Sequence, residues 1–437
     1  MWLAPLAVTV LGLILTLHQL GDRPLVDFDE AINAVITRQM ARSGNWLVPI
    51  YNAAPHLRRP PLYFWMAAAA VVVTHQFSAF PYRLPAALSG VALAAGLSAF
   101  LPWRFGWSPW AGALTGVALL TMPYFLLLSR EAMLAGPAAA LVAGAVLSGS
   151  FWTRGRGGWW APIATGAFFG LLALDYSAMV LLPLGVLGAD ALLRGRRPLL
   201  TWRRTAVAVA IALALGLWWP LLMSARYGGE FWSQFLLQNV VARVGTGTES
   251  GARPVYYYLP LLAAGLGAWG PLVAVAVVSS WRQIWRQPDS PERLAVIWLG
   301  LGLLGFSAVV TKLPWYSAPM YPSLALLAGA QARRLWAELV RARSDHRASS
   351  LAQLAVNLGA VTCGLGLAAW PSPRPVVALL VCLVMGGAAL VVEIWAPSRG
   401  GHRVGPPSFA PSSRALHLWL AVVLVAVAVP LARAGLF

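Results

Sequence analysis

Charge is scarce in this 437-residue chain: 14 acidic and 32 basic residues make up 11% of it, against 59% hydrophobic. No long polar segment remains from which a soluble domain could be built, although the length would allow two or three. Cysteine is nearly missing. Cys363 and Cys382 both sit in apolar runs, which excludes a disulfide framework and zinc-ligand spacing. Lysine is rarer still, because Lys312 is the single one among the 32 basic residues. A coding bias toward arginine explains that scarcity. It leaves either chance or a need for a compact ammonium to explain the one lysine kept beside Leu313-Pro314-Trp315-Tyr316. Tandem repeats are lacking too. The net charge of +18 does not indicate nucleic acid: in so apolar a chain, basic residues mark cytoplasmic loops and lipid headgroups.

What is abundant is apolar sequence in runs long enough to span a bilayer, with mean hydropathy +0.69 and 22 tryptophans suited to interfacial belts. Spans are expected near 2–20, 84–101, 110–128, 132–150, 159–174, 178–193, 205–223, 256–279, 294–310, 316–332, 351–369, 375–395 and 415–433. The first 20 residues lack a basic start and a small-residue cleavage site, so they read as a span and not as a signal peptide. A further apolar stretch, 61–79, starts Pro-Pro and ends Thr74-His75-Gln76. If Asp29 and Glu131 face the same compartment, one stretch between them must fail to cross. The 61–79 helix is therefore expected to lie in the interface, giving thirteen spans. With the N-terminus cytoplasmic, 19 of the 32 basic residues fall in cytoplasmic loops, as the positive-inside rule requires.

The expected fold class is an all-α integral membrane protein, a single transmembrane domain over 1–437 with no separate soluble C-terminal domain. Its extracytoplasmic loops are 21–83, with amphipathic interfacial helices, and 224–255, which begins amphipathic and turns flexible; 333–350 and 396–414 read as cytoplasmic loops.

The chemistry concentrates in the first of these loops. Asp27, Asp29 and Glu30 are followed by a helical pattern, then a Trp, then Arg58-Arg59-Pro60-Pro61. Carboxylates beside a bilayer are costly unless solvated or used. The residues expected to share the outer face are Asp27, Asp29, Glu30, Glu131, Asp175, Glu230 and Glu249, with Arg58, Arg59, Arg83, Arg130, Arg243, Arg253 and Lys312. Glycosyl transfer from a phosphate leaving group needs both signs. A carboxylate activates or orients the acceptor, and cations hold the phosphate as charge develops on it.

Here the sequence resembles a known family. DFDEAINAVITRQMARSGNWLVPIYNAAPHLRRPPLYFW is similar to the first extracytoplasmic loop of GT-C glycosyltransferases of the aminoarabinose-transferase and protein O-mannosyltransferase group. The order continues with Arg83-Leu84-Pro85, Arg130-Glu131-Ala132-Met133-Leu134, Arg253-Pro254-Val255-Tyr256-Tyr257-Tyr258 and Thr311-Lys312-Leu313-Pro314-Trp315-Tyr316, spanning about residues 25–325. The resemblance implies a GT-C fold and inverting transfer of a sugar from a polyprenyl-phosphate donor, such as undecaprenyl phosphate, at the periplasmic face. The acceptor would be a lipid A-like lipid or another envelope lipid or glycan. By the same resemblance Asp29 and Glu131 are catalytic, while Arg59, Lys312, Tyr316, Arg58 and Arg243 bind the donor. Glu30, Arg83, Arg130, Asp175 and Tyr258 are further candidates, with bland readings beside them: helix start, neutralising partner, turn, interfacial aromatic.

Some positions depart from the family. Arg58 stands where aminoarabinose transferases often carry a Glu tied to a metal, and 224–255 has no His, so the expected metal ligands are not all present. No cofactor is expected to be required, and a divalent metal stays open as the alternative. Asp175-Tyr176-Ser177 replaces a Thr-Lys-Gly. The runner-up within the class is transfer to protein. From other classes, a multi-span transporter would show an internal repeat and polar residues at span centres, and a non-catalytic polyprenyl-lipid binding protein is a third option.

Overall fold

The computed structural model describes residues 2–25, 28–194, 201–245 and 253–342, with 357, 359–361, 363, 381, 382 and 384. Asp27, the loop 396–414, the span expected at 415–433, and nearly all of 351–369 and 375–395 lie outside the described residues.

Helix α1 (Leu3–Leu17) leads into the first loop, where α2 (Phe28–Ser43) places Asp29 and Glu30 in its first turn. Carboxylates there meet the positive end of the helix dipole. At the other end Gly44 adopts φ 67° and its N–H bonds back to Met40 O, the left-handed stop that glycine permits. A small hairpin follows, β1 (Ile50–Tyr51) against β2 (Ala54–Pro55), turned by Asn52 and Ala53 at positive φ. The sequence had suggested no strand here. Helix α3 (Leu62–Thr74) starts directly after Pro60-Pro61. Its Tyr63, Phe64, Ala67 and Ala68 pack on Ala34, Ile36 and Met40 of α2. Thirteen residues rise about 20 Å, too little for a hydrocarbon layer of about 30 Å.

Helix α4 (Ala79–Phe105) is long enough to cross. The next expected span is broken, because Pro123 cannot donate to the helix and splits it into α5 (Pro109–Thr121) and α6 (Pro123–Leu128). Helix α7 (Ala135–Trp152) is followed by α8 (Trp160–Tyr176) and α9 (Leu181–Leu193). The 160–193 stretch is continuous and apolar, yet it is a hairpin and not one long helix. Trp160 packs edge-on to Phe151 at the end of α7, and Arg194 donates to Thr153 at that same end. The chain therefore runs away and returns, reversing at Tyr176 (φ −145°, ψ 84°). Helix α10 (Trp202–Tyr227) packs along α8 so closely that a Cβ at Gly166 would lie 2.3 Å from Ala208 O.

The second long loop is more helical than its sequence suggested. Helix α11 (Gly229–Trp232) passes through a π-helical stretch, Ser233–Val241, into α12 (Ala242–Gly245). Helices α13 (Tyr258–Gly265) and α14 (Gly270–Arg286) meet at a bend of 106°, turned at Gly267 with φ 53°. Helix α15 (Pro291–Ala308) starts with Ser290 accepting from Arg293 N–H. A 3-10 segment, Pro314–Met320, then leads into α16 (Tyr321–Ala342). That last helix continues through 333–342, where a loop was expected, carrying Arg333 and Arg334 to Glu292.

Among the described residues, α4, α7, α10 and α15 are each long and apolar enough to cross a membrane, and the 160–193 hairpin is as apolar over its whole length. The protein is a multi-pass, mainly helical membrane protein. Arginines and acids gather at the α7–α8 turn: Asp190 is fully buried between Arg154, Arg194 and Arg293. Asp29 and Asp175 lie at the other end of the bundle.

Candidate active site

Asp29 sits in the first turn of α2 and points at the Arg-Arg-Pro-Pro segment entering α3. Its Oδ1 accepts from Arg59 Nη2 at 2.6 Å, and the two side chains are 14% and 17% exposed. Arg59 Nη1 also donates to Asn33 Oδ1 at 2.9 Å. Asn33 lies one helical turn after Asp29, so both face the same way. Its Nδ2 donates in turn to Ala132 O at 2.8 Å. A turn that follows α6 is thereby tied to the first loop.

A second clamp lies beneath. Glu30, 3% exposed, takes a fork of two bonds from Arg83 at 2.8 and 2.9 Å. Its Oε1 also accepts from Ala132 N–H at 2.7 Å. Arg83 spends its remaining donors on the carbonyls of Leu20, Arg23 and Pro24. Glu30 and Arg83 therefore fix the start of α2, the end of the first helix's connection and the 129–134 turn to one another. Arg130 works similarly, donating to the carbonyls of Leu15, Thr16 and His18 at the C-terminus of α1.

Asp29 and Arg59 line two cavities at once. The inner one is a narrow crevice walled by Met133, Leu134, Met179, Trp315, Tyr176 and Tyr316. The outer cleft, about 1050 Å³, is more polar and is lined by Tyr51, His56, Arg58, Gln234 and Gln238. Arg58 donates to Gln238 Oε1 at 2.8 Å, joining the two long loops. Burial and the neighbouring Arg59 and Arg58 charges push the His56 imidazole down to about 4, outweighing the pull of Asp29. It is neutral near pH 7. A third, small cavity of about 220 Å³ lies beside the inner one, sharing Arg59, Leu134 and Tyr176 with it and adding Asp175 and Ser177.

The candidates read from the sequence thus divide. Asp29, Arg59, Arg58, Tyr316 and Asp175 are brought together around the cavities. Glu131 is half-buried in the turn whose next residue is held by Glu30 and Asn33, but it lines neither main cavity. Lys312 is 3% exposed and donates to Val309 O at 2.6 Å, away from both cavity walls. Tyr258 is buried with its hydroxyl on Leu313 O, supporting the 311–316 segment from behind. Arg243 falls where side chains are not described. Gln234 and Gln238 were not anticipated, although their spacing of four marks one helix face. Asn33, Trp315 and the two methionines carry no local signal, since separate segments supply them.

The ligand set for a metal does not assemble. Among the described residues no three His, Cys, Asp or Glu side chains cluster. The outer cleft offers Asp29 and His56 alone, and Arg59 holds the first of these.

Residues 58–223 match the family described as dolichyl-phosphate-mannose-protein mannosyltransferase. An undecaprenyl phosphate-alpha-4-amino-4-deoxy-L-arabinose arabinosyl transferase of Enterobacter sp. (strain 638) is 28% identical over 336 residues, covering 75% of this chain and 59% of the relative. A second protein of that description, from Pseudomonas fluorescens, is 26% identical over 98% of this chain and 72% of its own length. The chain spans about three-fifths of the length of the first of these curated relatives. Among solved structures, ArnT from Cupriavidus metallidurans bound to undecaprenyl phosphate superposes with TM-score 0.66 at 24% identity, covering 89% of this chain and 76% of ArnT. The Archaeoglobus fulgidus oligosaccharyltransferase superposes with TM-score 0.55 at 14% identity, covering 86% and 56%. By sequence the chain is similar to these aminoarabinose transferases, and by fold it is similar to ArnT and to the oligosaccharyltransferase.

Proposed function

We propose that the chain transfers a sugar from a polyprenyl-phosphate donor to a lipid A-like or other envelope acceptor on the extracytoplasmic face of the cytoplasmic membrane. The observation that carries this reading is the Asp29–Arg59 pair standing between an aromatic inner cavity and a polar outer cleft. The sugar ring is assigned to the inner side, where Trp315, Tyr176 and Tyr316 offer flat faces and must part to admit it. The acceptor fits the outer side. The relatives named as undecaprenyl-phosphate aminoarabinose transferases support the choice of donor.

In this reading the acceptor oxygen attacks the anomeric carbon and the bond from that carbon to the phosphate oxygen breaks, its electron pair leaving with the phosphate. Asp29 orients the acceptor and receives its proton where it has one. Arg59 leaves Asp29 for the phosphate, which its planar fork grips in two bonds, and Arg58 adds a second charge. A single displacement of this kind inverts the anomeric centre. Glu131 acts from the adjoining turn, Lys312 and Arg243 serve the donor lipid's phosphate, and Glu30, Arg83, Arg130 and Tyr258 position the loops. The arginines around Asp190 favour a cytoplasmic place for that end of the bundle, which puts the N-terminus inside and Asp29 outside.

The test is mass spectrometry of envelope lipids and glycoproteins from a deletion strain carrying either the intact gene or Asp29→Ala. A sugar-sized mass present with the first and lost with the second, at equal protein levels, supports the reading. No difference in any fraction would sink it.

A further inference from the structure

Asp175 is a fully buried carboxylate at this end of the bundle that the mechanism above leaves unused. It ends α8 where the chain reverses and is fully buried, and neither carboxylate oxygen has a hydrogen-bond partner. The groups around its cavity are already engaged. Arg59 is held by Asp29 and Asn33, Arg58 donates to Gln238, and Ser177 Oγ donates to Ala173 O. A carboxylate withdrawn from water with no donor in reach is strongly unfavourable. Such a group persists where an arriving ligand brings the missing donor.

The place of the cavity says which ligand. It opens off the inner cavity, sharing Arg59, Leu134 and Tyr176 with it, so a sugar ring seated there turns one edge toward Asp175. A phosphate cannot be the partner, being of the same sign. A hydroxyl supplies one neutral hydrogen bond. A protonated amine supplies both a charge and up to three donors, answering both empty oxygens.

We propose that Asp175 is the specificity residue for the transferred sugar, accepting from an ammonium group that the sugar carries. This rests on the donor reading above.

The experiment uses the full-length protein in detergent with two donors: undecaprenyl phosphate bearing 4-amino-4-deoxy-L-arabinose, and the same lipid bearing L-arabinose. Wild type is expected to favour the amino donor in kcat/KM by about tenfold to a hundredfold, the range for a charge-assisted bond in a closed site. Asp175→Asn lowers kcat/KM for the amino donor at least tenfold more than for the hydroxyl donor. Since the side chain makes no hydrogen bond in the folded protein, the variant melts close to the wild-type temperature. An unchanged preference in the variant overturns the proposal while leaving the transfer reading intact. So does an equal loss on both donors together with a lowered melting temperature, which marks a structural residue. Wild type turning over neither donor removes the transfer reading and this proposal together.

Discussion

Replacing Arg83 by lysine keeps the charge and should still damage the protein severely. Arg83 makes five hydrogen bonds of 2.8–3.0 Å, two to Glu30 and one each to Leu20, Arg23 and Pro24 carbonyls. That uses every N–H a guanidinium has. A lysine has three donors and no fork, so at least two acceptors lose their partner. Each buried acceptor left alone costs about 1–3 kcal/mol, and the carbonyls nearer the surface recover part of this from water. The expected loss is therefore about 2–4 kcal/mol. Arg83→Met strands Glu30, 3% exposed, without a counter-charge, and should cost about 3–5 kcal/mol. Adding Glu30→Gln to Arg83→Met removes the stranded charge while keeping an oxygen for Ala132 N–H, so the double variant should recover part of the loss. The assay is thermal unfolding in detergent at fixed scan rate, followed by tryptophan fluorescence. At about 2 °C per kcal/mol, Arg83→Lys should lower the melting temperature by about 4–8 °C. A shift within about 1 °C, or a double variant no better than Arg83→Met, would refute the clamp.

Three other outcomes are expected. Arg59→Lys, which keeps a charge but cannot hold Asp29 and Asn33 together, should lower kcat/KM by about 10- to 100-fold, and Arg59→Ala by about 100- to 1000-fold, in the two-donor assay; equal losses would deny the fork a role. His56 stays neutral in the folded protein down to about pH 4, whereas the unfolded chain protonates it near pH 6.5, so between those values the unfolded state holds more protons and stability falls on acidification. His56→Gln should remove up to about 3 kcal/mol of that acid sensitivity, read from melting temperatures at pH 7 and pH 4.5; parallel losses in both proteins would contradict it. Gly166→Ala forces a Cβ to within 2.3 Å of Ala208 O and should destabilise by about 1–3 kcal/mol, whereas Gly188→Ala, with nothing within 4 Å, should be neutral or slightly stabilising by the same melting measurement.

The first loop shows how far a linear reading reaches. Asp29 and Arg59 could be picked from the sequence because chemistry and spacing both marked them, and the structure puts them in contact. Lys312 was as conspicuous, being the one lysine, yet its ammonium donates to a backbone carbonyl three residues before it. Rarity marks a residue without saying what it touches. Glu30 and Arg83 looked like site residues and proved to be a buried clamp, because their bonds run to backbone that is distant in sequence.

Apolar run length and charge asymmetry determined the membrane class by themselves, since the bilayer tests each run locally, and the ordered motifs of 25–325 carried the resemblance to the glycosyltransferases. Only the tertiary structure decided that 110–128 is a broken helix, and that Trp315, Tyr316, Tyr176 and Asn33 share walls with Asp29. Those facts depend on packing among segments up to 290 residues apart, between Asp29 and Pro319, and no local pattern encodes which of many apolar faces will meet.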